Sequence, residues 1–71
     1  MYKYRINLAW SDDDQAWIAS VPELPGCLSD GATPQEAIDH AQVIIGEWIE
    51  TAQLLGRPIP QPQPFILPQS A

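Results

Sequence analysis

From Tyr2 to Trp10 the chain alternates. Tyr2, Tyr4, Ile6, Leu8 and Trp10 fall on one side, and Lys3, Arg5, Asn7 and Ala9 on the other. That is the two-residue period of a half-buried strand. The polar run Ser11-Asp12-Asp13-Asp14-Gln15 reads as a turn. Ala16 to Val21 then resumes the alternation, with Trp17, Ala19 and Val21 on one face and Ile18 on the other. Two such runs around a short polar loop predict an antiparallel hairpin. Pro22-Glu23-Leu24-Pro25-Gly26 ends the second run, because two prolines and a glycine cannot continue a ladder. Cys27 to Asp30 fits a short third strand, closed by Gly31.

The period then changes. Ala37, Ile38, Ala41, Ile44, Ile45, Trp48, Ile49, Ala52 and Leu55 recur at helical spacing, with Asp39, Gln42, Glu50 and Gln53 largely opposite. Thr33 is the expected N-cap, Pro34 occupies the first helical position, and Glu36 completes a capping box. Gly56, followed by Arg57 and Pro58, is a natural stop. The helix is therefore expected from about residue 34 to about residue 55. Gly46 costs roughly 1 kcal/mol in mid-helix, and a close approach of helix to sheet would account for it. The result is an α+β two-layer sandwich: an antiparallel sheet of about three to four strands packed by one long helix. Tyr4, Ile6, Leu8, Trp17 and Val21 are expected to face Ile38, Ala41, Ile45, Trp48 and Ala52. Residues 1–57 form this domain, and residues 58–71 form a proline-rich tail. Pro58, Pro60, Pro62 and Pro64 favour an extended tail conformation. Phe65-Ile66-Leu67 could return to the sheet edge or dock on a neighbouring subunit.

At 71 residues there is room for one domain with a thin core, so association with a partner or another copy is expected. Nine acidic residues against three basic ones give a net charge of −6. This disfavours nucleic acid and anionic membrane surfaces as ligands. It suits a basic protein partner, and equally it keeps a small protein soluble. A lone cysteine, Cys27, excludes an internal disulfide. No secretory signal pattern and no membrane-length apolar run are visible, so a cytoplasmic protein is expected.

Little in the chain resembles catalytic machinery. Asp12, Asp13 and Asp14 lack the alternating ligands and distal glutamate of a calcium loop and read as a solvated turn. His40 has no nucleophile or second metal ligand in a recognisable pattern. Cys27 has no basic neighbour and reads as a small buried residue. The serines lack a nucleophile-elbow context, and the glycines form no phosphate loop. No cofactor and no metal are expected. Three tryptophans are many for this length. Trp48 reads as core, and Trp10, beside the acidic turn, as an exposed interface anchor.

Asp14 to Cys27, in particular Val21-Pro22-Glu23-Leu24-Pro25-Gly26-Cys27, resembles the core signature of HicB-like antitoxins. Ser29-Asp30-Gly31 and Thr33 with Glu36-Ala37 continue the likeness, and Gly56-Arg57-Pro58-Ile59-Pro60 matches its post-helix end. The resemblance covers residues from about 2 to 62. It implies a HicB-like, reduced RNase H-like fold and a non-enzymatic role in a type II toxin–antitoxin pair. The partner implied is a HicA-like toxin, a small basic ribonuclease that cleaves mRNA and is blocked by covering its active surface. RNase H chemistry needs carboxylates gathered around two metal ions, and no spacing here gathers them. Many HicB proteins continue into a DNA-binding module. Here a proline-rich tail follows the helix, so direct DNA binding is not expected. The alternative is a stand-alone oligomeric scaffold or regulator without a toxin partner. The chain is expected to form a homo-oligomer, dimeric or dimer-based. The candidate partner-binding residues are Trp10, Asp12, Asp13, Asp14 and Glu23.

Overall fold

The computed structural model describes residues 2–65. Strands β1 (Asn7–Ser11), β2 (Ala16–Ser20) and β3 (Leu28–Gly31) precede one helix, α1 (Pro34–Leu54). The strands form an antiparallel sheet in the order β1-β2-β3. The helix packs on one face, giving the two-layer α+β arrangement read from the sequence.

The hairpin keeps its alternation. Leu8 lies opposite Ala19 and Trp10 opposite Trp17, while Asn7 meets Ser20 and Ala9 meets Ile18. Cross-strand partners share a face, so Leu8, Trp10, Trp17 and Ala19 are on the helix side. The first strand is shorter than the alternation predicts, starting at Asn7 and not at Tyr2. The reason lies on its partner. The Val21 N–H faces the third strand and donates to the Cys27 carbonyl at 2.9 Å, continuing the β2–β3 register. The next position facing β1, Pro22 opposite Arg5, has no N–H to offer. Tyr4 and Ile6 still turn inward and are half-buried.

The connection from β3 to α1 fixes the helix. Only Ala32 and Thr33 separate Gly31 from Pro34. The Thr33 side chain accepts the Glu36 N–H at 3.1 Å, as the capping box requires. The first turn is therefore laid directly on β3. Ser29 donates to the Ala37 carbonyl at 2.9 Å. A Cβ at Gly31 would stand 2.5 Å from the Ala37 nitrogen, so only glycine permits this approach. Ala19, Ala37 and Ala41 fill the thin gap. Further along, Ile45 packs on Val21, Leu24 and Cys27, with Trp48 and Ile49 beside them. At the far end Gly56, at φ +66°, makes a Schellman stop. Its N–H reaches the Gln53 carbonyl at 3.2 Å, and that of Arg57 reaches Ala52 at 2.8 Å.

Two expectations about packing are corrected. Leu8 does not lie under the helix. Because α1 is seated over β3 and β2, β1 is left largely uncovered, and Leu8 is 36% exposed. Its place in the core is taken by Leu24, fully buried from within the proline loop. That loop is closed by Leu24 N–H to Val21 carbonyl (3.1 Å) and Cys27 N–H to Leu24 carbonyl (3.0 Å). Gly46 does not approach the sheet. The Tyr2 ring covers it, with the hydroxyl 3.3 Å from where a Cβ would stand.

The tail segment 58–65 has no regular secondary structure and turns back towards the N-terminal segment. The Tyr4 hydroxyl donates to the Pro60 carbonyl, and Phe65 is exposed. Ile66 and Leu67, expected to return to the sheet or a neighbour, lie outside the described residues.

Gly31→Ala is expected to destabilise the fold by about 1–3 kcal/mol or more through overpacking, against about 1 kcal/mol for Thr33→Ala. Urea unfolding of both variants checks this. A neutral Gly31→Ala would show that the helix start is not seated on this glycine.

Candidate functional site

The uncovered strand and the acidic turn beside it form the most distinctive surface. In β1, Asn7, Leu8, Ala9 and Trp10 are all exposed and Ser11 is half-buried. As an outer strand of the sheet, β1 has no ladder partner on its far side among the described residues. An unpaired edge presents backbone donors and acceptors in a row, ready for another chain.

Trp10 is 46% exposed but not loose. Its ring meets Trp17 edge-on, with centroids 5.7 Å apart and planes at 71°, a favoured aromatic geometry. Its indole N–H donates to Asp12 Oδ1 at 2.8 Å. Ser11 Oγ donates to Asp14 Oδ2 at 2.9 Å and accepts the Asp14 N–H at 3.3 Å. Gln15, at φ +50°, closes the loop by donating its side-chain amide to the Asp12 carbonyl at 2.7 Å. The three aspartates are exposed, and this network orders the loop that carries them. Trp10, Asp12, Asp13 and Asp14 thus come together as one rigid acidic-aromatic corner.

Glu23 lies apart from that corner. It is half-buried and tied within its own chain, accepting the Gln63 N–H on Oε2 at 3.2 Å. Oε1 is buried with no hydrogen bond among the described residues. Burial pushes this carboxyl up. The N–H groups of Gln63, Glu23 itself and Arg5, with the Arg5 charge, pull it down further, leaving it below the usual carboxylate range. Tyr4 is raised by burial and by the Glu23 charge. Glu23 therefore joins the proline loop, the N-terminal segment and the tail.

Elsewhere the chemistry is sparse. Cys27 is buried, and burial pushes its thiol up, away from the reactive thiolate. His40 is exposed, its Nδ1 2.7 Å from the Asp30 carbonyl. Trp48 donates to the Pro25 carbonyl at 3.0 Å. A groove of about 540 Å³ between the end of α1 and the tail is lined by Trp48, Ala52, Leu55, Pro58 and Pro60, with Glu47 and Arg57 at its margin. No group of three or more metal-ligating side chains exists among the described residues, and no helix there is long and apolar enough to cross a membrane.

The structure places Trp10 and the aspartates on one exposed surface, and it adds Leu8, which the sequence assigns to the core. The alternation marks Leu8 as inward-facing, and only the lateral position of α1 leaves it bare.

The family model described as the HicB-like antitoxin of bacterial toxin–antitoxin systems matches residues 4–68. A UPF0150 protein of Thermoplasma acidophilum is 32% identical over 59 residues, covering 83% of this chain and 84% of that protein. A UPF0150 protein of Synechocystis is 34% identical over 44 residues, covering 62% of this chain and only 60% of that relative's length. No solved structure matches.

The depressed Glu23 carboxyl contributes stability that is present above its ordinary value of 4.5 and lost as the pH falls through its lower folded value. Glu23→Gln is therefore expected to lower the denaturation midpoint at neutral pH, with the deficit closing in acid. Asp13→Asn serves as the exposed control. A deficit independent of pH would show that the carboxylate charge is not what holds the tail.

Proposed function

The chain belongs to the HicB-like antitoxin family of bacterial toxin–antitoxin systems, and from that premise we propose that it neutralises a basic HicA-like toxin by covering its mRNA-cleaving surface. The observation that carries this reading is the ordered corner of Trp10 and Asp12–Asp14 at the end of an open strand. A rigid aromatic can seat in a pocket of the partner, while the three carboxylates draw in and orient a basic surface. Pre-organisation by the Trp10–Asp12 and Ser11–Asp14 bonds reduces the entropy lost on docking. The net charge of −6 favours such a partner over nucleic acid.

The module acts in the cytoplasm by binding alone, with no catalytic step and no cofactor. Its carboxylates support this, being dispersed over the hairpin turn, the proline loop, β3 and the helix. The uncovered β1 edge also favours self-association, and a stand-alone oligomeric role is the alternative function.

Mixing the chain with a HicA-like toxin is expected to give a stable complex and to suppress RNA cleavage at micromolar concentrations. Trp10→Ala should cost about 2 kcal/mol, roughly a 30-fold loss of affinity. Replacing Asp12, Asp13 and Asp14 by asparagine should mainly slow association and flatten its salt dependence. Absence of binding would refute the antitoxin role, and retained affinity in both variants would move the contact elsewhere.

A further inference from the structure

We propose that β1 is an interface for a second copy of this chain, paired antiparallel about a two-fold axis at Ala9. The pairing joins two three-stranded sheets into one of six strands, with both helices on the same side. It stands independently of the identity of any toxin.

Three features of the strand fit this occupant. The first is register. Centred on Ala9, each Leu8 lies opposite the other copy's Trp10, because antiparallel partners share a face. Leu8 and Trp10, 36% and 46% exposed, are the two large apolar side chains that α1 leaves bare on the helix side of β1. All four would fill the trough between the helices. Centring on Leu8 would instead set Trp10 against Ile6, which is already packed within its own core.

The second is charge. Lys3 and Arg5, two of the three basic residues, precede the strand, and Asp12–Asp14 follow it. An antiparallel two-fold carries each basic segment to the other copy's acidic loop. A parallel arrangement would place like charges together. The third is the opposite face, where the symmetric position is the small exposed Ala9, which opposes no bulk to close pairing.

Trp10 then serves both interfaces, so a toxin anchored on it competes with the second copy.

Disulfide trapping tests the register. Residues opposite each other across an antiparallel pair have Cβ atoms about 4.5–5.5 Å apart, within reach of a disulfide. The native Cys27 is buried and does not compete. Under mild oxidation Ala9→Cys is expected to give a covalent dimer in high yield. Ser11→Cys, whose opposite number is Asn7, should stay largely uncrosslinked. In the unmodified chain, light scattering at tens of micromolar should report a dimer, and Asp13→Lys should weaken it several-fold. A monomeric mass would overturn the proposal. So would a dimer in which Ala9→Cys crosslinks no better than Ser11→Cys, since the copies would then meet elsewhere.

Discussion

The whole arrangement depends on how closely the first turn of the helix approaches the third strand. Gly31 has no Cβ, Ala37 and Ala41 are small, and only two residues join strand to helix. These choices seat α1 over β3 and the middle of the sheet. A single helix of 21 residues has too little width to cover three strands equally. The strand farthest from the connection is left bare. The edge on which the proposed function rests is thus a consequence of packing at the opposite edge.

The fold was legible where one period dominated. Thr33, Pro34 and Gly56 marked the helix ends almost to the residue, because cap chemistry is local and each residue has one structural use there. The hairpin and third strand were equally readable from alternation and from the proline-glycine break. Failures arose where distant residues decide. The start of β1 depends on Pro22, which stands opposite Arg5 in the hairpin register and lies 17 positions further along. Leu24 sits in a polar, proline-bounded loop with no periodicity to mark it, yet it is among the most buried side chains. Gly46 makes room for Tyr2, a contact between residues far apart in sequence.

The candidate site was legible in part. A tryptophan followed by three aspartates in a hairpin turn points to an exposed acidic corner, and the structure brings these residues together. Glu23 has the same charge but a different situation. It is engaged by its own tail and N-terminal segment. Charge alone does not distinguish a carboxylate that meets solvent from one that clips the chain. The surroundings do, and here they are the Gln63 N–H and the Arg5 charge, 40 and 18 residues away in sequence.

The chain belongs to the HicB-like antitoxin family, and the function proposed for it is one of contact. The central claim is that the displaced helix leaves β1 open for another chain. Residue-resolved amide hydrogen exchange at high dilution tests it most directly. The account predicts that the amides of β2 and the β2-facing amides of β3 are protected, and that the outward amides of β1 exchange fast. Of the two outer strands, β1 alone gains protection as concentration rises or a binding partner is added. Uniform, concentration-independent protection of β1 would show its edge already closed within a single chain and would contradict the account.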